Sequence, residues 1–391
     1  MAHNYMAILN LEESEQDIRS LTAFRPIATI PFAGRYRIID FMLSNIVNAG
    51  IKKVGIFPSK TSRSLPDHIG SGKPWDLSRK IGGLYLFDHS LMGYNHFDAK
   101  MFGNNMEFLQ RSIADDVLIT SSYMVGNIDI EAILDAHEAS GKDVTFVYRK
   151  TNHANMEFLN CAVLNFDSTG NMIGIGKNIG MQKDADICME IFVMKKNVLL
   201  QLIYKALRTG NRSSFNSFLY SQINNYTHGV YEYKGAVRCI NSIQAYYNAH
   251  MDIINNADFR EELFGETGHG IIYTKTKDSP PSYYGSDAYV ENSIVSDGCR
   301  IEGNIKNCVL SRFVKIGKGA KLENCIILQD TEIAEGAQLS NVIVEKGNVV
   351  GNYTQIVGTS DFPIVIERKN FNTMFESSSK HQTYSRIPDI S

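Results

Sequence analysis

Four times in the last third of this chain an asparagine is followed by one small or apolar residue and two aliphatics. The units are Asn292-Ser293-Ile294-Val295, Asn307-Cys308-Val309-Leu310, Asn324-Cys325-Ile326-Ile327 and Asn341-Val342-Ile343-Val344, spaced by 15, 17 and 17 residues. A second phase interleaves with the first: Gly298-Cys299-Arg300-Ile301, Gly319-Ala320-Lys321-Leu322 and Gly336-Ala337-Gln338-Leu339. Short aliphatic strands separated by small or polar turns at this period suit a parallel β-helix with three short sides per coil. Each coil is too thin to bury its own core, so it must stack on the next. A β-sandwich has no reason to repeat one unit four times.

The first two-thirds alternate instead. Strands are expected at Met6–Leu9, Lys53–Phe57, Val117–Thr120, Val144–Tyr148, Ala162–Asn165, Glu190–Met194 and Ala236–Cys239. Helices are expected at Ile39–Ala49, Asn104–Ile113, Ile130–Ser140, Lys196–Leu207, Ser214–Asn224 and Ile243–Asn255. Gly50 and Gly141 stand as helix stops. This alternation predicts an α/β domain with an open, largely parallel sheet and helices on both faces. With 391 residues, two domains are expected. The boundaries read as 1–255 for the α/β domain, 256–281 for a linker around Ser279-Pro280-Pro281, 282–370 for the β-helix and 371–391 for a polar tail.

Bulk properties exclude some functions. A formal net charge of −3 gives no electrostatic reason to bind nucleic acid or acidic membranes. Six cysteines are scattered without a CxxC pair, which reads as reduced, buried thiols in a cytoplasmic protein. No segment reaches the roughly 18 apolar residues of a membrane span, and no signal-peptide layout opens the chain.

The most distinctive stretch is Arg25-Pro26-Ile27-Ala28-Thr29-Ile30-Pro31-Phe32-Ala33-Gly34-Arg35-Tyr36-Arg37-Ile38-Ile39-Asp40-Phe41-Met42-Leu43-Ser44-Asn45. It resembles the sugar-nucleotide pyrophosphorylases, and most closely the bacterial ADP-glucose pyrophosphorylases (glucose-1-phosphate adenylyltransferases). The resemblance continues through Ile46–Gly55, at Ser64-Leu65 with His68-Ile69, and at Ser242–Asp252. It implies a nucleotidyltransferase-like, Rossmann-like mixed-sheet domain followed by a left-handed parallel β-helix. It also implies transfer of an adenylyl group from ATP to glucose 1-phosphate, with release of pyrophosphate and help from Mg²⁺. A hard cation of that kind takes oxygen ligands.

The family's chemical parts are what this chain lacks. The family's first loop is rich in glycine; here Asn10–Arg19 has none and carries four acids, Glu12, Glu13, Glu15 and Asp17. Each carboxylate ~5 Å from a phosphate charge would cost roughly 3 kcal/mol at an effective dielectric near 20. The family's adenine-side motif falls near Phe97-Asp98-Ala99-Lys100-Met101, without its glycine and threonine. The two metal-aspartate positions fall at Tyr123 and Cys239, and a thiol is a poor magnesium ligand. Asp115 and Asp116 lie at the far end of the strand before Tyr123. Lys177 matches the family's sugar-phosphate lysine but lacks its flanking residues. Arg25, Arg35, Arg37, Lys60 and Arg63 fall in the family's activator-handling region, where a basic group would meet sugar-phosphate anions.

The resemblance therefore implies a non-catalytic partner subunit. It would bind no cofactor tightly, work beside a Mg²⁺-dependent catalytic subunit in a heterotetramer, and modulate it. An active adenylyltransferase with metal ligands at unexpected positions is the alternative. A β-helix acyltransferase would need a coil histidine, and residues 282–360 contain none.

Overall fold

The computed structural model describes residues 4–87, 98–211, 213–265 and 268–368. Phe97 of the adenine-side stretch and the polar tail lie outside the described residues. The chain divides into two compact units, Met1–Asp278 and Ser279–Ser391.

The first unit is built on a sheet with strand order Met172–Lys177, Ala162–Phe166, Ala185–Lys195, Asp116–Thr120, Tyr5–Leu11, Lys53–Pro58 and Gly83–Leu86. Val144–Thr151 also pairs with Ala185–Lys195, and His228–Glu232 pairs with Val144–Thr151. The central strand Tyr5–Leu11 is buried along its whole length. It runs parallel to both neighbours, which explains its almost unbroken apolar character.

The sheet is mixed, where the alternation predicted a largely parallel one. Ala185–Lys195 runs antiparallel to Asp116–Thr120, to Val144–Thr151 and to Ala162–Phe166. One cause is a short connection. Asp167 Oδ1 accepts the backbone N–H groups of Thr169 and Asn171, both at 2.9 Å, closing a tight turn between Ala162–Phe166 and Met172–Lys177. A turn of that length joins antiparallel strands only; a parallel crossover needs a dozen residues or more.

Much of the distinctive stretch proves to be scaffold. Asp40, fully buried, accepts the Arg37 N–H at 2.9 Å at the start of helix Ile38–Asn48. Its other oxygen lies 2.5 Å from His68 Nε2. Ser44 Oγ takes the Tyr273 N–H at 2.8 Å, and Asn45 donates to the Gly126 carbonyl at 3.0 Å. The bonds from Asp40 to His68, from Asn45 to Gly126 and from Tyr273 to Ser44 join segments distant in sequence, so this stretch holds the scaffold together independently of any chemistry. Trp75 is 1% exposed and packs edge-on to His68, which makes it a core residue.

Two corrections concern element bounds. The helix expected over Asn104–Ile113 is two helices, Asp98–Asn104 and Met106–Gln110. The break falls at Asn105, whose side chain donates back to the Met101 carbonyl at 2.8 Å. This local bonding is why asparagine is poor inside helices. The segment 256–281 opens with a helix, Ala257–Phe264, before any linker. Asn256 caps it by accepting the Phe259 N–H at 3.0 Å, and Phe259 and Leu263 bury its inner face. Among the described residues no helix is long and apolar enough to cross a membrane.

The second unit stacks coils. Three parallel five-stranded sheets run along it, for example Ile294–Val295, Val309–Leu310, Ile326–Ile327, Val342–Val344 and Ile364–Ile366. The repeated aliphatics and Cys299, Cys308 and Cys325 form one continuous core. The repeated asparagines have a backbone cause. Asn292, Asn307, Asn324 and Asn341 all turn a corner at positive φ (42°, 52°, 52° and 52°), a region asparagine tolerates better than other non-glycine residues. Their side chains also form a ladder: Asn292 donates to Asn307 at 2.8 Å and Asn307 to Asn324 at 3.1 Å. Asn324→Ala is accordingly expected to destabilise this unit by about 1.5 kcal/mol, with Asn324→Gly milder, measured by chemical denaturation.

Candidate functional site

The strands Tyr5–Leu11 and Asp116–Thr120 are parallel neighbours whose carboxyl ends open at the same edge. That edge is where an open α/β sheet holds its ligand. The chain leaves the first strand into the acidic loop and leaves the second into Ser121-Ser122-Tyr123. Strand Met124–Val125 then pairs with Arg238–Cys239, and the Ile240 N–H reaches the Tyr123 carbonyl at 2.8 Å. The fold thus brings together Tyr123 and Cys239, the two positions at which the resemblance expects metal carboxylates.

A cavity of about 340 Å³ opens there. Its lining includes Glu12, Glu13 and Asp17 from the loop, Tyr123, Lys177, Glu190 and Tyr220. Lys177, at the end of strand Met172–Lys177, is an exposed residue on this wall, and its ammonium makes no hydrogen bond or ion pair among the described residues.

The loop does not turn away; its acids are spent on the chain's own groups. Glu13 accepts both the N–H and the Oγ–H of Ser122 at 2.7 Å. Asp17 accepts from Asn160 at 3.1 Å. Glu15 is bound by the Lys60 ammonium, which also donates to the Thr22 carbonyl at 2.9 Å. A carboxylate therefore holds the donor pair just past the strand end.

Burial and crowding tune these groups. Burial pushes Glu190 up to about 7, helped by the charge of Glu13; a hydrogen bond from Tyr123 opposes the shift. Glu190 keeps part of its surface open to the cavity but is otherwise enclosed by protein. Burial also raises Glu13, against the pull of its Ser122 bonds. The Tyr123 phenol is driven up by burial and then by Glu190. The Cys239 thiol is driven up by burial and by Cys161, whose Sγ lies 3.4 Å away.

These residues do not suit a magnesium ion. A buried phenol and a buried thiol, both held protonated, replace the expected carboxylates, and a thiol is soft where magnesium wants hard oxygen. Among the described residues no group of three histidine, cysteine, aspartate or glutamate side chains could hold a metal.

Sequence reasoning named Tyr123, Cys239 and Lys177, and missed Glu190. It counted Glu13 among the loop acids but did not foresee its partner. The basic cluster is dispersed in its commitments. Arg25 is buried with Nε on the Leu21 carbonyl at 3.0 Å, Arg37 donates to the Thr29 carbonyl, and Lys60 holds Glu15. Arg35 and Arg63 are exposed, with the Arg35 guanidinium 5.2 Å from the Tyr36 ring. None of the five lines the cavity around Lys177.

Comparison with known proteins agrees with this architecture. The nucleotidyl transferase family pattern matches residues 17–158, and a GlmU-like, C-terminal hexapeptide pattern matches residues 282–361. The chain is 36% identical over 372 residues to the glycogen biosynthesis protein GlgD of Bacillus subtilis (strain 168), covering 94% of this chain and 97% of that protein. The chain belongs to the family of GlgD proteins and glucose-1-phosphate adenylyltransferases. Within that family it is also 33% identical to GlgD of Geobacillus stearothermophilus, over 82% of this chain and 83% of the relative. It is 30% identical to the glucose-1-phosphate adenylyltransferase of Clostridioides difficile (strain 630), over 75% and 77%. The GlgD likeness spans both compact units.

Proposed function

We propose that this chain acts in glycogen biosynthesis as the regulatory, catalytically deficient subunit of a glucose-1-phosphate adenylyltransferase. The observation that carries the reading is the donor set at the strand edge. Tyr123 and Cys239 stand where metal carboxylates are expected, and Glu13 fills the Ser122 donors beside them. The names of the Bacillus and Geobacillus relatives support the pathway, and the adenylyltransferase likeness supports the partner. The partner would supply the magnesium chemistry. This chain would bias the partner's equilibrium through differential contacts with its states, since a coupling can be no larger than that difference.

A sugar-phosphate effector would meet Arg35 and Arg63, the two exposed members of the basic cluster, with Arg25, Arg37 and Lys60 holding the surrounding backbone. The test is co-purification with a catalytic adenylyltransferase of the same cell, then turnover and activator titration with and without this chain. A heterotetramer and at least an approximately threefold change in rate or activator half-saturation are expected, which is about 0.7 kcal/mol of coupling. Arg63→Ala is expected to weaken the activator response about threefold, leaving assembly intact. Kinetics that do not move on mixing defeat the proposal.

A second reading has one observation behind it. Glu13 and Glu190 are carboxylates in one cavity and could be offered as atypical metal ligands. Against it, Glu13 is already committed to the two Ser122 donors, and two carboxylates fall far short of the octahedral oxygen shell that magnesium takes.

A further inference from the structure

Glu190 stands in a backbone conformation that side chains avoid. Its φ is 53°, in the left-handed region, within strand Ala185–Lys195. The register against Val144–Thr151 shifts between Cys188 and Phe192, so the residue sits on a bulge, with its carbonyl accepting the Ser121 N–H at 3.3 Å. A bulge re-aims the side chain it carries, and strained positions of this kind collect at functional sites. Here the bulge puts the carboxyl on the wall of the cavity, on the Tyr123 hydroxyl and near Glu13.

Much of the rest of the wall is neutral and polar. Asn160, Asn216, Asn241, Ser214, Ser217 and Tyr220 offer both donors and acceptors. Ligands whose hydroxyls donate and accept at once match such a lining. At about 340 Å³ the cavity lies near the small end of ligand pockets, which run from roughly 300 Å³ upward. Its ionisable groups are four carboxyls, Glu12, Glu13, Asp17 and Glu190, against the single ammonium of Lys177, so the balance is acidic once Glu190 ionises above about 7. A phosphate brought into that field is repelled.

We propose that this cavity binds an uncharged, hydroxyl-rich ring of monosaccharide size, and that Glu190 is the residue that keeps phosphorylated versions of it out. The proposal rests on the reading that no nucleotide chemistry occurs in the cavity. It needs no partner subunit, so it is tested on the full chain alone and can fail without touching the modulatory role.

The probes are glucose, maltotriose, glucose 1-phosphate and inorganic phosphate, titrated calorimetrically at pH 7.5. At least one neutral sugar is expected to bind about tenfold or more tighter than glucose 1-phosphate. A preference for maltotriose identifies the end of a glucan as the source of the ring, and a preference for glucose identifies the free hexose. Glu190→Gly suits the left-handed backbone and so is expected to fold; it should shift the affinity ratio about tenfold toward glucose 1-phosphate over the neutral sugar. Glu190→Gln, which keeps the shape and removes the charge, should move in the same direction. Failure of both neutral sugars to bind, equal binding of glucose and glucose 1-phosphate by the unaltered chain, or an unchanged ratio in both variants overturns the proposal.

Discussion

Assayed alone with ATP, glucose 1-phosphate and Mg²⁺, the chain is expected to form ADP-glucose at less than about a thousandth of the rate of a catalytic relative such as the Clostridioides difficile adenylyltransferase. Losing metal support worth roughly 4 kcal/mol accounts for a thousandfold by itself. The donors at the strand edge give no substitute, because the phenol of Tyr123 and the thiol of Cys239 are both held protonated by burial. The sharper form of the experiment restores the carboxylates. Tyr123→Asp with Cys239→Asp is expected to gain less than about tenfold. Two new charges would be added at positions that the Glu190 charge already reaches, and each close pair costs roughly 3 kcal/mol at an effective dielectric near 20. Glu13 would also still occupy the Ser122 donors. Adding Glu13→Gly and Glu190→Gly should then raise the rate above that of the double variant. A double variant that is already fully active would show that the loop and the bulge play no part in the loss.

The two halves of the chain were unequally legible, and the reasons are physical. The coils could be read because the same residues recur where the same backbone recurs: an asparagine at a left-handed corner, then a small or apolar residue and, two places on, an aliphatic that both face the coil core. Tyr123 could be placed because the apolar strand before it leads directly to it, and Cys239 because it closes the strand expected over Ala236–Cys239. Glu190 could not. It was read as the first residue of a strand that in fact begins at Ala185 and bulges at this point, and a bulge depends on the register of a partner strand, which no local pattern encodes. The acids of the first loop were visible, but not where they go. The partner of Glu13 is Ser122, more than a hundred residues away, and only the pairing of Tyr5–Leu11 with Asp116–Thr120 brings them together.

Glu190→Gln is expected to stabilise the protein at pH 8 by about 2 kcal/mol and to leave it nearly unchanged at pH 4. Burial beside Glu13 raises the Glu190 carboxyl from an ordinary 4.5 to about 7. Below pH 4.5 the group is protonated folded or unfolded, and its burial carries no charge penalty. As pH rises toward 7 the unfolded chain ionises while the folded chain resists, so stability falls through that window and stays low above it. The full linkage would be about 3 kcal/mol; the face open to the cavity and the coupling to Glu13 reduce it. Glutamine removes the penalty and can still accept the Tyr123 hydroxyl. Asp143 gives a control of opposite sign. Hydrogen bonds from Lys195 and Thr227 hold it down at about 2, so its contribution is present above its ordinary 3.8 and is lost as pH falls through 2. Denaturant unfolding of the unaltered chain and of Glu190→Gln at pH 4, 6 and 8 decides the matter. If their stability difference does not grow between pH 4 and pH 8, the Glu190 carboxyl is solvated and its burial carries no charge penalty.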